Sequence, residues 1–302
     1  MHSVQKIIAR NKLSDGIFVV LGLLALFIGI GTLLALIIDL ALHGAPRLSW
    51  QFFTSFPSRF AAKAGILSAW VGTCMVMLVT AVCAVPLGIA AGTYLEEYAP
   101  KNWVTDIIEI NIANLAGVPS IVYGLMALGL FIYQFNLGQT VLTAGLTLGL
   151  LILPMVIIAT RESVRAIPRN IREAVYALGG TQWQSIRDHV LPYSMGGILT
   201  GVIIAMSRAI GETAPIITIG ALTYIAFLPP APIQATPPFV SLDWITSPYT
   251  VMPIQMFNWV SRPQEAFHAN AAAAGLVLLL MTLLMNGIAI YLRYRFRKRI
   301  KW

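Results

Sequence analysis

Charged residues are scarce in this chain. Asp, Glu, Lys and Arg together make up 11% of its 302 residues, whereas soluble globular proteins carry about 25%. Apolar residues make up 58%, and the mean hydropathy is +0.78. This composition excludes an ordinary soluble domain and predicts a membrane protein.

Cysteine and histidine are also scarce, and no phosphate-binding loop is present. Cys74 and Cys83 lie in one apolar run without metal or redox spacing, and the four histidines fall at or outside the ends of such runs. We therefore predict no metal site and no catalytic residue. A Walker A loop needs a lysine directly after a glycine, and no lysine here follows a glycine. Any ATP would thus be hydrolysed by another polypeptide.

The sequence does contain long runs without Asp, Glu, Lys or Arg. They cover residues 16–38, 64–95, 110–160, 189–207, 213–242 and 266–292. One membrane-spanning helix needs about 20 residues. The third run therefore holds two helices, divided at the polar turn QFNLGQ (residues 134–139), and residues 189 to about 228 hold one interrupted helix. The first run lacks a small-residue cleavage site and is interpreted as a retained span. We predict an all-α membrane protein with six spans.

Basic residues flank the predicted spans unevenly. Lys6, Arg10 and Lys12 precede the first span, and RYRFRKRIK follows the last. Six spans place both termini on one side of the membrane, and the positive-inside rule makes that side the cytoplasm. The formal charge of +8 follows from this asymmetry. It does not indicate nucleic-acid binding, because the bases do not form one surface stripe.

The longest predicted cytoplasmic connection, residues 161–189, has helically spaced apolar residues on both sides of Gly179 and Gly180. This pattern predicts two short amphipathic helices that meet at a glycine break, since glycine permits the positive φ of a sharp reversal. Two interpretations stay open: the unit lies on the bilayer surface, or it docks in a groove of another protein. Glu173 and the small or medium apolar residues of the first helix slightly favour docking.

Arg208 and Glu212 lie inside the fifth predicted span. At 1.5 Å per residue, Arg208 is about 20 Å along a helix that starts near Pro192, and a charge facing lipid there costs about 2.5 to 3.5 kcal/mol. Because the two residues share a helix face, they form either a structural ion pair or an anion-handling site in which Glu212 orients or releases the arginine. Arginine before glutamate is the poorer order for a helical pair, and a guanidinium matches phosphate or carboxylate oxygens, so we favour the second interpretation. Gly211 and Pro215 predict a kink beside the pair.

The cytoplasmic connection resembles the EAA loop of ABC importer permeases. The matching residues are Glu173, Ala174, Gly179, Leu191 and Pro192. In that family the loop forms the coupling helix that inserts into a cleft of the ATPase subunit, so the resemblance implies that these residues couple the chain to an ATPase. Val175 stands where the motif has alanine, and His189 where it has isoleucine.

The segment RAIGETAP (residues 208–215) resembles the signature of PstA-type phosphate permeases. Further similarity lies in VPLGIAAGTYLEEYAP (85–100), GVPSIVYGL (117–125) and REAVYALGGTQWQSI (172–186), and the whole resemblance covers residues 64–292. Members of this family commonly have an arginine where Ile158 stands here. Arg161 either supplies the missing positive charge from the next turn or is an ordinary positive-inside residue.

The resemblance implies a PstA-type permease subunit of an ATP-driven phosphate importer, with the type I ABC importer permease fold, in the cell inner membrane. It implies Arg208, Glu212 and Arg161 as substrate-pathway residues and no cofactor in this chain. The implied partners are a PstC-like permease in a heterodimer, two ATPase subunits that carry ATP and Mg, an external phosphate-binding protein and membrane lipid. The implied organisation is a cytoplasmic N-terminus (1–15), a first helix with an external loop (16–63), a five-helix core (64–292) with the coupling loop (161–191), and a basic C-terminus (293–302).

Other functions are kept as alternatives. A permease for another oxyanion, such as phosphonate or sulfate, is the nearest, since side-chain types alone do not separate tetrahedral oxyanions. An ion-coupled secondary transporter is expected to show internal repeats, which the sequence lacks. A structural or sensory membrane subunit would tolerate the loss of Arg208.

The proline-rich segment 229–263 carries little family signal. Its five prolines between residues 229 and 238 exclude a helix there. The segment is a docking surface for a binding protein, a cap over the external mouth, or an irregular loop with interfacial helices anchored by Trp244 and Trp259.

Overall fold

In the computed structural model, residues 2–232, 239 and 241–299 are described, and all regular structure in this part of the chain is helical. The helices are α1 (His2–Gly44), α2 (Trp50–Thr54), α3 (Leu67–Glu97), α4 (Trp103–Ala116), α5 (Ser120–Ala127), α6 (Val141–Arg165), α7 (Arg169–Ala177), α8 (Gln182–Ser185), α9 (Leu191–Gly211), α10 (Ala214–Thr218), α11 (Met252–Val260) and α12 (Glu265–Arg299). π-helical turns extend α5 (Leu128–Gln134) and join α8 to α9 (Ile186–Val190). Short 3₁₀ turns occur at Ala45–Arg47, Ala61–Lys63 and Asp243–Thr246.

Five helical segments are long and apolar enough to cross a membrane. They are Ser14–Arg47, Leu67–Glu97, Val141–Arg165, Gln182–Gly211 and Glu265–Arg295. The pair α4 and α5, with its π-helical extension, passes the same test only as a unit and is bent by 104°. The prediction of six spans is confirmed when this bent pair is counted as one. The bend falls at Gly117, Val118 and Pro119, where the proline removes a backbone donor and disfavours helical geometry in the residue before it.

The core is formed where α3 packs along α6 and α6 packs along α9. Small residues let the backbones approach, as is common between membrane helices. A methyl group at Gly92 would lie 2.7 Å from the carbonyl oxygen of Ile157, and one at Gly145 would lie 2.4 Å from Val79 Cγ1. Thr80 adds a buried hydrogen bond across the same contact, from its hydroxyl to the Gly145 carbonyl at 3.1 Å. This tight three-helix unit carries the bent pair and the cytoplasmic connection.

The first helix lies beside the core and packs on α12. The apolar window of its span has none of its residues buried, as expected of a helix that faces lipid on most sides. The end of the first span is fixed by Arg47, which donates to Asn270 Oδ1 at 2.6 Å and to the Ala61 carbonyl at 2.7 Å. These contacts join the segment between α1 and α3 to α12.

The connection between α6 and α9 has the two helices that its sequence predicts, α7 and α8. Gly179 adopts a φ of +80° between them, a conformation that favours glycine. Thr181 then caps α8 by accepting a hydrogen bond from the Gln184 amide, whose side chain in turn accepts from the Thr181 amide. The pair of helices, α7 and α8, is called the insert below.

The predicted kink beside Arg208 is confirmed. Helix α9 ends at Gly211, Glu212 is extended with φ −74° and ψ 124°, and α10 begins at Ala214. Pro215 occupies an early position of α10, where its missing N–H costs no helical hydrogen bond.

In the proline-rich segment 229–263, Trp244 and Trp259 are buried in the protein. They therefore anchor this segment to the helices and not to the bilayer interface. Residues 233–238 and 240, which include the last two prolines of the proline cluster, lie outside the described part of the chain.

Candidate functional site

Arg208 and Glu212 form an ion pair at the broken end of α9. Arg208 Nε lies 3.0 Å from Glu212 Oε1, and the two side chains are 37% and 18% exposed. Arg208 belongs to the last turn of α9, where the helix dipole favours a cation, while Glu212 follows that turn in a field that disfavours a carboxylate. The arginine therefore offsets the unfavourable position of the glutamate. The spacing of the two residues in the sequence places them on one helix face. In the structure they do form an ion pair, with Arg208 inside the last turn of α9 and Glu212 just after it.

Two neighbouring helices complete the surroundings of Arg208. Its Nη1 lies 3.5 Å from the sulfur of Met155 on α6, and α5, which carries the buried Tyr123, packs on α10 just beyond the pair. Tyr123 also donates from its hydroxyl to the Leu115 carbonyl of α4 at 2.8 Å, which ties the two halves of the bent pair together. The site is thus assembled from α9, α6 and the bent pair.

A close contact holds α5 against α10. A methyl group at Gly124 would lie 1.8 Å from Thr218 Oγ1 and 2.6 Å from Pro215 Cα. Any side chain at this position would force the two helices apart. The structure thereby brings together two segments that are far apart in sequence, 117–125 and 208–215. Sequence reasoning missed Tyr123 and Gly124 as parts of the site. The family resemblance includes their segment, 117–125, but no pattern in the sequence shows that this segment packs against residues 208–215.

Arg208 retains hydrogen-bonding capacity. A guanidinium has five N–H donors, and Arg208 uses one for Glu212 and one, weakly, for Met155. Within the described part of the chain its remaining donors have no acceptor. A planar fork of free donors suits an oxyanion, while the adjacent carboxylate repels one and keeps the binding weak.

Arg161 lies elsewhere. Its Nε is 3.2 Å from Glu96 at the end of α3, and its Nη2 pairs with Glu109 on α4. Arg161 is six residues beyond Met155 on α6, about 9 Å along the helix, at the end that leads to the insert. The structure therefore does not bring Arg161 together with Arg208, and two carboxylates balance its charge.

The insert presents its motif residues unequally. Glu173, Ala174 and Gly179 are exposed, whereas Leu191 and Pro192 are half-buried at the start of α9. Three large apolar side chains, Tyr176, Leu178 and Trp183, are also exposed, with Leu178 at 90%. Exposed apolar side chains of this size on a short insert are typical of a docking surface. Sequence reasoning did not single out Leu178 as a contact residue, because helical spacing does not distinguish a covered apolar residue from an uncovered one.

Comparison with known proteins gives consistent matches. A family model described as binding-protein-dependent transport system inner membrane component matches residues 84–302. The probable ABC transporter permease protein YqgI of Bacillus subtilis is 33% identical over 70% of this chain and 71% of its own length. The phosphate transport system permease protein PstA of Yersinia pestis is 30% identical over 96% of this chain and 93% of its own length. PstA 1 of Mycobacterium tuberculosis is 31% identical over 79% and 73%, respectively.

Solved structures share the arrangement of helices. A chain of the methionine ABC transporter MetNI, in an inward-facing conformation, matches 76% of this chain and 95% of its own with a TM-score of 0.57. The sequence identity is 14%, so this likeness concerns the fold alone.

Proposed function

We propose a function from one premise: the chain belongs to the family of binding-protein-dependent transport system inner membrane components. It is a multi-pass permease subunit of an ABC importer, with the type I permease fold that the sequence predicts. Such a subunit works with an ATPase and a substrate-binding protein. Within this class, the chain is the PstA-type subunit of an inorganic phosphate importer.

The observation that carries the phosphate assignment is Arg208, a half-exposed guanidinium with free donors at a helix break inside an apolar span. An arginine fork recognises phosphate oxygens, and relatives that cover most of this chain are phosphate transport permeases by name. Glu212 keeps the interaction weak, because a residue that held phosphate tightly would stop transport. Passing phosphate contacts Arg208, whereas Arg161 stays in its ion pairs at the cytoplasmic end of α6.

Membership of the family implies the other subunits of the importer and its transport cycle. A PstC-like permease supplies the other half of the pathway, and two ATPase subunits bind ATP and Mg; this chain has no nucleotide site of its own. Both termini are cytoplasmic, as the basic flanks indicate. ATP binding closes the ATPases, the insert around Glu173 and Gly179 transmits the movement, and the permeases open outward to receive phosphate from an external binding protein. Hydrolysis returns them to the inward-open state.

The test is ATP-driven uptake of radiolabelled phosphate into proteoliposomes that contain the assembled complex, with sulfate as the competing oxyanion. Wild type should take up phosphate and exclude sulfate. Arg208→Gln should assemble and hydrolyse ATP but lose about tenfold to a hundredfold in uptake, since a hydrogen bond to a charged group contributes about 1.5 to 3 kcal/mol. Arg208→Lys, which keeps the charge without the fork, should fall between.

Two results would change the assignment. Normal uptake by Arg208→Gln would make the Arg208–Glu212 pair structural and move selectivity to the binding protein. Wild-type uptake of sulfate or phosphonate in preference to phosphate would favour the oxyanion alternative.

A further inference from the structure

We propose that the last turn of α3, with Glu96 and Glu97, is the joint through which the insert moves the membrane helices. Arg172 and Arg161 are the positioning residues that make this joint rigid. The inference rests on the proposed function in one respect, that the insert docks on an ATPase.

The insert is attached to the membrane helices at Glu97. Arg172 of α7 donates from Nε to both carboxylate oxygens of Glu97, at 2.9 and 3.2 Å, and the two side chains are 15% and 6% exposed. Gln182 of α8 donates from Nε2 to the backbone carbonyl of the same glutamate at 2.6 Å. Both helices of the insert therefore bind one residue of α3.

Polar contacts dominate this attachment. No residue of α7 is buried, and of α8 only Ser185 is. Beside the joint lies a cavity of about 660 Å³, bounded by the ends of α3 and α6 and by α4 and α7, whose lining includes Glu97, Arg161 and Arg172. Because little apolar packing fixes α7, the ion pair and its hydrogen bonds determine where this helix lies. Bidentate arginine–carboxylate contacts are strong and fix the relative geometry of the two side chains.

The neighbouring glutamate connects the joint to two further helices. Consecutive residues of a helix point about 100° apart, so Glu96 and Glu97 contact different neighbours. Glu96 accepts from Arg161 Nε at 3.2 Å and from Arg165 Nη2 at 3.0 Å, both on α6. Arg161 also pairs with Glu109 on α4. One turn of α3 thus holds the insert on one side and α6 with α4 on the other.

From α4, contacts continue to the candidate pathway. The Tyr123 hydroxyl binds α5 to α4 at Leu115, and Gly124 of α5 packs on Pro215 of α10. Contacts therefore continue from the insert through α3, α4 and α5 to the helix break beside Arg208. Since spatial continuity alone does not establish coupling, the joint requires a direct test.

The first test measures phosphate transported per ATP hydrolysed in proteoliposomes with the full complex. Glu97→Gln keeps the size of the side chain and removes the charge. We expect assembly and ATP hydrolysis to persist while transport per ATP falls on the order of tenfold, within the range of typical coupling between sites. The double variant Glu97→Arg/Arg172→Glu, which reverses the pair, should recover part of the loss. Arg187→Gln is the matched control, because it breaks an exposed pair with Asp188 in the π-helical turn that follows the insert and should change nothing.

The second test does not depend on the substrate. Cys74 and Cys83 are replaced by alanine, spin labels are attached at Asn170→Cys on α7 and Lys101→Cys beyond α3, and their separation is measured by pulsed electron resonance in the assembled complex. With Glu97 intact, one narrow distance should persist with and without ATP. Glu97→Gln should broaden it.

An unchanged narrow distance in Glu97→Gln, or an unchanged ratio of phosphate to ATP, would overturn the joint. A fall in assembly and hydrolysis together with transport would make the pair a folding element only, and would equally overturn it. Absence of phosphate uptake in wild type would instead refute the proposed substrate, and the label distances would still decide the joint.

Discussion

Arg172 and Arg208 each contact a glutamate, but the two arginines differ in how many acceptors surround them. Arg172 is half-buried and donates to both oxygens of Glu97 and to the backbone carbonyls of Val164 and Ile167. Arg208 is more exposed and, in the described part of the chain, meets one carboxylate oxygen and one sulfur. An arginine whose nitrogens all have acceptors fixes a structure, whereas one with donors to spare can bind an anion.

The largest effect should come from removing Arg172, the arginine whose nitrogens all have acceptors. Arg172→Met leaves the Glu97 carboxylate, 6% exposed, without its arginine. Breaking a fully buried pair in this way costs about 3 to 5 kcal/mol, and this half-buried pair should cost about 3 kcal/mol. We expect a lower unfolding temperature, measured by thermal denaturation in detergent, while the complex still assembles at the temperature of the transport assay. Arg172→Met/Glu97→Leu, which removes both charges, should recover most of the loss. An unchanged unfolding temperature in the single variant would show that the contacts of Arg172 do not stabilise the fold.

A smaller loss of stability is expected from overpacking the contact between α5 and α10, close to Arg208. Gly124→Ala places a methyl group 2.6 Å from Pro215 Cα, a backbone atom that cannot rotate away, and overpacking of this kind costs about 1 to 3 kcal/mol. Unfolding temperature and phosphate uptake should both fall as α5 moves from α10. Gly129→Ala is the control, since nothing lies within 4 Å of a methyl group there. Equal behaviour of the two variants would argue against the α5–α10 contact.

The smallest effect should come from changing Glu212, the partner of Arg208. Glu212→Gln removes the negative charge that competes with an incoming anion for Arg208. Phosphate should then bind more tightly and leave more slowly, so the maximal uptake rate should fall severalfold, by about fivefold for 1 kcal/mol. The dependence of uptake on phosphate concentration measures both changes, with half-maximal uptake at a lower concentration. Weaker binding would instead mean that Glu212 orients Arg208 for the anion.

Local signals in the sequence predicted local structure well. Gly179 marked the reversal between α7 and α8, and Gly211 and Pro215 marked the break beside Arg208, because backbone restrictions act within a few residues. The path of the third span was not predictable in the same way. An apolar run specifies that a helix can cross the membrane, but Pro119 alone does not say that α4 and α5 diverge by 104°.

Tertiary partners were the main limit of sequence reasoning. Nothing in the spacing of Arg161 distinguishes a pathway charge from a flank residue, and only its contacts with Glu96 and Glu109 place it. The same holds for Glu97, which reads as one of two adjacent acids until Arg172 and Gln182 are seen to converge on it. The pathway roles of Arg208 and Glu212 remain predictions for the uptake assay.

The first span has a mechanical consequence for the bilayer. Its 34 residues extend about 51 Å at 1.5 Å per residue, whereas the hydrocarbon core is about 30 Å thick. Only residues 16–38 of this span lack Asp, Glu, Lys and Arg, about 35 Å of helix at 1.5 Å per residue, so the remaining residues extend beyond the hydrocarbon core. A small excess of apolar length is relieved by tilting, while Arg47 holds one end of the span to α12 through Asn270. We therefore expect a change in membrane thickness to alter the tilt of α1, which packs on α12.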